Sequence, residues 1–147
     1  MPDETNQLRV RLVTPERVLF EAAASAVELP AKNGYMEVLF GAAPLLAELG
    51  AGDVIVHGAG VAEADGAPGA QHYNVSWGFA EVLPDRVTIL ASDALKPEEI
   101  SVDRAEEQLV RGQKMWNEAG ESEEAYTEAL HVIAEAEAKL ATAAEKH

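Results

Sequence analysis

Residues 92–101 read Ser-Asp-Ala-Leu-Lys-Pro-Glu-Glu-Ile-Ser, and the composition of the chain changes across this stretch. All seven prolines and nine of the eleven glycines lie at or before Pro97. The 51 residues from Pro97 to His147 contain ten alanines and twelve glutamates, which is the composition of exposed helices. We therefore expect a β domain at residues 1–92, a linker at 93–100 and a helical domain at 101–147.

The segment before this boundary alternates apolar and polar residues with a period of two, which is typical of half-buried strands. Turn signals recur at short intervals, which is the spacing of an antiparallel sandwich or barrel. We expect an all-β sandwich of about ten short antiparallel strands in two sheets. The clearest alternating runs are residues 8–12, 27–29 and 87–89, and the turn signals lie at 14–15, 32–34, 50–53, 65–69 and 84–85.

One hairpin can be placed in register from the sequence. A turn centred on Asp65 pairs residues whose numbers sum to about 129, so that Val54 faces Val75 and His57 faces His72. One face of this hairpin is then largely apolar and the other largely polar, which supports the pairing.

The segment after the boundary carries the punctuation of two helices. Ser101 is a natural N-cap, Gly120 ends the first helix and Ser122 caps the second. Residues spaced by seven form one stripe of large apolar side chains and one of small side chains on each helix, which allows two antiparallel helices to pack closely. We expect a helical hairpin that is too small to be stable alone and therefore docks reversibly. The large stripes are Val102, Leu109 and Trp116, then Tyr126, Ile133 and Leu140; the small ones are Ala105, Gly112 and Ala119, then Ala129, Ala136 and Ala143.

Charge and composition exclude several classes of function. The 147 residues (15.7 kDa) hold 26 acidic and 11 basic side chains, for a net charge of −15 that disfavours binding to nucleic acid or to anionic lipid. There is no cysteine, which excludes disulfides, thiolate metal sites and cysteine nucleophiles. We expect neither a signal peptide nor a membrane-spanning helix, because no run of about 18 apolar residues occurs.

Residue types used in catalysis are present, but their spacing supports no reaction. His57 and His72, with Glu63 or Asp65, make at best an incomplete metal site. Ser76, His72 and Asp53 contain the residue types of a hydrolytic triad, but they come from one hairpin without a nucleophile elbow or an oxyanion hole. We expect no catalytic residue, no metal and no cofactor. An alternative function is a free-standing acidic sandwich that binds calcium or a glycan through the loop at 61–69.

Four segments, taken in order, give the chain a resemblance to a known family. They are residues 12–16 (LVTPE), residues 41–52 (GAAPLLAELGAG), residues 78–91 (GFAEVLPDRVTILA), and residues 100–105 (ISVDRA), which are similar to an Ile/Leu-Asp-x-x-Arg-Ala signature. Together they resemble the epsilon subunits of bacterial F-type ATP synthases, and the match runs nearly end to end.

The resemblance implies a non-catalytic rotor part that binds the gamma shaft and stands on the ring of c subunits. It implies ring contact by Tyr35, Met36 and Glu37, and shaft contact by Ala42, Ala43, Pro44, Leu45 and Leu46. It also implies a peripheral location on the cytoplasmic side of the bacterial inner membrane, reached only through partner subunits. The C-terminal helices could then meet the alpha/beta head.

The chain departs from the family pattern at four places, one of which is the long connection at residues 61–69. Residues 40–44 read Phe-Gly-Ala-Ala-Pro where the family has Pro-Gly-His-Ala-Pro, so apolar surface replaces a polar contact. Residues 121–147 contain seven glutamates and two lysines, which predicts a weak brake on hydrolysis, since the family's brake uses basic side chains. Arg104, Ala105 and Arg111 match a nucleotide-sensing set that is otherwise lost, so we expect only a remnant of that site.

Overall fold

A computed structural model describes residues 7–62 and 68–145, which divide into two compact units. The first unit ends at Ala94 and the second begins at Leu95. Among the described residues, the first unit contains seven strands: β1 (Leu8–Val13), β2 (Val18–Ala24), β3 (Ala26–Ala31), β4 (Gly34–Leu39), β5 (Leu45–Ala62), β6 (Pro68–Leu83) and β7 (Arg86–Leu95).

The seven strands form one hydrogen-bonded sheet in the order β2-β1-β7-β6-β5-β3-β4. The registered neighbours are antiparallel except β1 and β7, which are parallel, so the sheet is mostly antiparallel. β2 also packs against β5, which is not its neighbour in the sheet, and the sheet thus folds over its own apolar face. The expected all-β sandwich is confirmed.

The strand count differs from the expected ten because two strands are long. β5 has 18 residues and β6 has 16, and β5 runs straight through residues 50–53, where the sequence indicated a turn. The strand does not end at these glycines, but the buried face of the β5–β6 ribbon changes there, and we call this point the bend. The bend coincides with Trp77 and Gly78, which have φ angles of 58° and 134°. A single continuous sheet therefore replaces the two separate sheets that were expected.

The core of the first unit is formed by the residues that the alternation predicts. Leu8, Val10 and Leu12 are fully buried, and so are the apolar members of the other two runs. Burying a side chain of this size stabilises a fold by about 1.5–3 kcal/mol. The strands are therefore held by one apolar cluster, to which all seven of them contribute.

The predicted register of the β5–β6 hairpin is wrong by two residues. Val54 pairs with Tyr73, and His57 pairs with Ala70, so that paired residue numbers sum to 127. A slip of two residues keeps every side chain on its face of the sheet. The predicted apolar face is accordingly preserved, since Val54 and Val75 are both buried. The two histidines, however, do not face each other.

The second unit is a pair of helices, preceded by a short 3₁₀ helix at Pro97–Glu99. The helices are α1 (Val102–Glu118) and α2 (Glu123–Glu145). The predicted N-caps are confirmed: Ser101 Oγ accepts from the Arg104 amide at 3.3 Å, and Ser122 Oγ accepts from the Ala125 amide at 3.1 Å. Each satisfies an amide that lacks a partner within its helix.

The two small-residue stripes are buried where α1 and α2 meet, as the sequence predicts. A Cβ added at Gly112 would lie 2.7 Å from Ile133 Cγ1, so the helices pack closer there than an alanine would allow. The large stripes lie at the margin of the contact, where the rings of Trp116 and Tyr126 meet edge to face at 4.6 Å.

Candidate partner-binding surfaces

The two histidines of the β5–β6 hairpin each lie close to a carboxylate, and His72 Nε2 makes no hydrogen bond within the described residues. His57 Nε2 lies 2.6 Å from Glu28 Oε2, and His72 Nε2 lies 3.4 Å from Asp53 Oδ2. Within residues 7–62 and 68–145, no group of three or more His, Cys, Asp or Glu side chains is arranged to hold a metal ion. Two candidate ligands of the sequence analysis, Glu63 and Asp65, lie outside the described residues.

The residue types of a hydrolytic triad do not form an accessible site. Ser76 is buried, and Asp53 accepts a long hydrogen bond of 3.5 Å from the side-chain amide of Asn74 besides its contact with His72. A nucleophile must reach a substrate, and a buried serine within a strand does not. These polar groups belong to the packing of the hairpin.

The three residues expected to contact the ring lie on β4 but point in two directions. Tyr35 and Glu37 are exposed, whereas Met36 is half-buried and packs against the core. The Tyr35 hydroxyl accepts a hydrogen bond of 2.9 Å from the Asp53 amide, and its ring lies over Gly52, where a Cβ would meet the hydroxyl at 2.5 Å. Tyr35 is thus held in place although 61% of its surface is exposed.

The five residues expected to contact the shaft span the β4–β5 turn and the start of β5. Ala42 is half-buried against the core, while the next four residues are exposed, and Leu46 is 68% exposed. The turn is fixed to the rest of the sheet because the Gly41 amide donates to the Pro84 carbonyl at 2.7 Å. The exposed apolar side chains of this segment therefore sit on a rigid support.

A groove of about 460 Å³ brings the two expected contact sets together. It is lined by residues 31–36 and 45–48, and so includes Tyr35, Met36, Leu45 and Leu46. An ion pair of 3.0 Å between Lys32 and Glu48 lies among the lining residues. The groove is therefore apolar with a charged border, as protein interfaces commonly are.

A second groove, of about 380 Å³, is lined by residues 13–15, 78–79 and 90–92. The large apolar side chains Phe79 and Leu90 line it and are 48% and 51% exposed. The sequence analysis did not single out either of them. The alternation of the sequence predicts that Leu90 faces outward, because it lies between the buried residues Ile89 and Ala91. The alternation around Phe79 is misleading, because it predicts that Phe79 is buried.

Gly78 brings the walls of the second groove together. A Cβ at Gly78 would lie 1.9 Å from the carbonyl oxygen of Leu90, so β7 approaches β6 as closely as only glycine permits. Gly78 also has a φ of 134°, a backbone conformation that residues with a side chain rarely adopt. This glycine sets Phe79 and Leu90 beside each other on the outside of the sheet.

Strand register joins the two grooves into one surface. Val13 pairs with Leu90, and Leu46 lies diagonal to Phe79, because Leu46 pairs with Glu81 and Glu48 pairs with Phe79. We call Val13, Leu46, Phe79 and Leu90 the outer apolar band. Exposed apolar side chains that lie side by side on a folded sheet are typical of a protein interaction site. The band can exclude water against another protein, but it offers no chemistry for a reaction.

The matches to a nucleotide-sensing set lie at the start of the helical unit. Arg104 and Arg111 are exposed, but Ala105 is buried between the helices. The serine that stands in place of the family aspartate, Ser101, accepts the amide of Arg104 as a helix cap. The structure thus gives two of these four residues a structural role.

Comparison with known proteins places these surfaces in context. The family model of the ATP synthase delta/epsilon chain β-sandwich domain matches residues 7–97. The ATP synthase epsilon chain of Solibacter usitatus is 40% identical over 147 residues, covering 99% of this chain and 100% of the relative. That of Koribacter versatilis is 39% identical over 109 residues, or 74% of this chain and 71% of the relative.

Solved structures share the fold. A chain in the cryo-EM structure of the Euglena gracilis mitochondrial ATP synthase superposes with a TM-score of 0.74 at 20% identity, covering 97% of this chain and 82% of that one. A chain in the central stalk and c ring of the Tetrahymena thermophila enzyme gives a TM-score of 0.53 at 15% identity, covering 66% and 72%. Both likenesses concern the fold alone.

Proposed function

This chain belongs to the ATP synthase delta/epsilon chain family, and we propose that it couples proton flow through the c ring to ATP synthesis by way of the gamma shaft. The epsilon chain is a non-catalytic subunit of the central stalk. A rotor part needs a stiff body and broad contact surfaces, and it needs no reaction pocket. The free-standing calcium- or glycan-binding module is not favoured.

The main support for this proposal among the residues themselves is the outer apolar band. We assign the shaft contact to Ala42, Ala43, Pro44, Leu45 and Leu46, and extend it through Phe79 and Leu90. Burial of exposed leucine and phenylalanine side chains supplies most of the affinity of such a contact. The band lies on a folded sheet with a large core, so it can transmit force without deforming.

We assign the ring contact to Tyr35, Met36 and Glu37, with the first groove between this set and the shaft contact. The hydrogen bond from Asp53 to Tyr35 supports this assignment, because a side chain that is already ordered loses less entropy on binding. The chain is part of a membrane-associated complex, and none of the described helices is long and apolar enough to span a membrane. We place it on the cytoplasmic side of the bacterial inner membrane.

The C-terminal helices have at most a weak regulatory role toward the alpha/beta head. Residues 121–147 carry seven glutamates, and one of their two lysines, Lys139, is already paired with Glu135 at 3.8 Å within α2. A contact between this helix and an acidic surface would therefore be unfavourable. Arg104, Ala105 and Arg111 remain as a remnant of nucleotide sensing. Calorimetry with Mg-ATP is expected to show no saturable heat, and a clear binding isotherm would contradict this.

The shaft contact is tested by measuring the affinity of the purified chain for its shaft subunit. Replacing Phe79 or Leu90 by Ala is expected to weaken binding at least tenfold, since each removes an exposed anchor of the interface. The matched control is Leu130→Ala on α2, which removes a leucine that is 51% exposed, as Leu90 is, from the second unit instead of from the band. Equal affinities for all three variants would refute the assignment.

The role of the helices is tested by deleting residues 97–147. The ATPase rate of the reconstituted complex is expected to change less than twofold. A rise of several-fold would show that the helices are a strong brake and would overturn this part of the proposal.

A further inference from the structure

The edge strand β4 has an open side that can pair with another strand. β4 is the last strand in the sheet order and pairs with β3 through six consecutive residues without a bulge. One of every two backbone amides in such a strand points away from β3, its neighbour among the described strands. These amides are a template for an additional strand.

β4 carries few of the features that protect a sheet edge, and its one charged residue is Glu37. Its sequence, Gly-Tyr-Met-Glu-Val-Leu, contains no lysine and no proline, and Tyr35 and Leu39 are exposed. The opposite edge of the sheet differs, because β2 has a register shift at Leu12/Val13 and packs against β5. Among the described strands, β4 is therefore the regular edge with the least protection.

The charge on β4 indicates what the additional strand must carry. Glu37 lies directly opposite Glu28 on β3, and like charges in this arrangement repel. His57 Nε2 lies 2.6 Å from Glu28 Oε2, within hydrogen-bond distance, so Glu28 already has a polar partner, and Glu37 is the carboxylate that a strand on the open side would compensate. A strand paired with β4 would place one of its own residues directly opposite Glu37.

We propose that β4 is extended by a strand from another rotor subunit, whose residue opposite Glu37 is Lys or Arg and whose flanking residues on the same face are apolar. Tyr35, Glu37 and Leu39 share one face of β4, so the partner strand carries the pattern apolar-x-basic-x-apolar. Main-chain hydrogen bonds supply affinity in this mode, and the alternate side chains supply specificity. The inference rests on the proposed function, because it requires assembly with the rotor.

Amide hydrogen exchange, resolved to single residues, tests the pairing in the assembled complex. In the free chain, the β4 amides bonded to β3 are protected and the alternate ones are not. On assembly, the alternate amides are expected to exchange at least tenfold more slowly. If the complex forms and these amides are unchanged, or if all β4 amides slow equally, the pairing is wrong and the proposed function stands. If the complex does not form at all, the proposed function falls, and the pairing with it.

A charge reversal tests the basic partner residue. Glu37→Lys is expected to weaken assembly at least tenfold while leaving the melting temperature of the free chain unchanged or raised, since it removes the repulsion with Glu28. The matched control Asp93→Lys makes the same change at an exposed position on β7 and is expected to assemble normally. Assembly of Glu37→Lys at the affinity of the unaltered chain would overturn the proposal.

Discussion

Replacing Gly78 by Ala tests how the outer apolar band is built. The new Cβ would lie 1.9 Å from the Leu90 carbonyl oxygen and 3.0 Å from the Ala91 Cα, and both are backbone atoms of β7. A flexible side chain cannot move aside to relieve this clash, so β7 must separate from β6. The φ of 134° adds strain for any residue with a side chain.

The expected cost follows from these two effects. Backbone strain of this kind costs about 1–3 kcal/mol, and forcing additional atoms into a packed site costs about 1–3 kcal/mol. The sum is about 2–6 kcal/mol, against a total stability of about 5–15 kcal/mol for a typical domain. Since 1 kcal/mol shifts the melting temperature of a domain of this size by about 4–8 °C, Gly78→Ala should lower it by at least about 8 °C.

Thermal unfolding followed by circular dichroism measures this shift. The matched control is Gly41→Ala, because Gly41 also has a positive φ, of 90°, but a Cβ there meets nothing within 4 Å. The control therefore reports backbone strain alone, and the difference between the variants reports the clash with β7. If Gly78→Ala is no less stable than Gly41→Ala, the close approach of β6 and β7 is not what orders this part of the sheet.

Three other substitutions test separate features of the fold. Ser101→Ala removes the hydroxyl that caps α1 and should lower the stability of the helical unit by about 1 kcal/mol in urea titrations, whereas Ser101→Asp should restore it. Tyr35→Phe removes the acceptor of the Asp53 amide and should cost about 1 kcal/mol, and an unchanged unfolding midpoint would contradict this. Leu49→Ala in the core should cost about 2–5 kcal/mol, whereas Leu46→Ala on the surface should stay within about 0.5 kcal/mol.

Local patterns in the sequence predict the core and the helix ends well. The alternation at Leu8, Val10 and Leu12 requires only that one face of a strand be buried, and the cap at Ser101 requires only the geometry of a helix terminus. Both depend on interactions within a few residues. This is why both predictions are confirmed without knowledge of the tertiary structure.

The register of the β5–β6 hairpin depends on longer-range information. A slip of two residues leaves the same side chains on the same faces, so the apolar pattern does not distinguish the predicted pairing from the observed one. The observed register nevertheless separates His57 from His72 and places each beside a carboxylate instead. A proposal that depends on two residues facing each other therefore needs the register, whereas a prediction of the core does not.

The outward position of Phe79 follows from strain that the sequence does not reveal. Tyr73 and Val75 are buried, and strict alternation would place Phe79 in the core with them, yet the buried residues beyond the bend are Ala80 and Val82. The buried apolar residues change from odd to even numbers across Trp77 and Gly78, the two consecutive β6 residues with positive φ. The buried apolar residues of β5 make the matching change, with Leu49 before the bend and Val54 after it.

A non-glycine residue in the left-handed region is costly and persists where the surrounding structure requires it. The strained backbone at Trp77 reverses which face of β6 buries its apolar side chains. The reversal turns the phenylalanine out to the surface, beside Leu90 and diagonal to Leu46. An apolar side chain turned outward by a strained backbone cannot be explained by the stability of the isolated domain, because burying it would stabilise the domain by about 1.5–3 kcal/mol. It is explained if the band is buried against a partner, which is the role that the proposed function gives it.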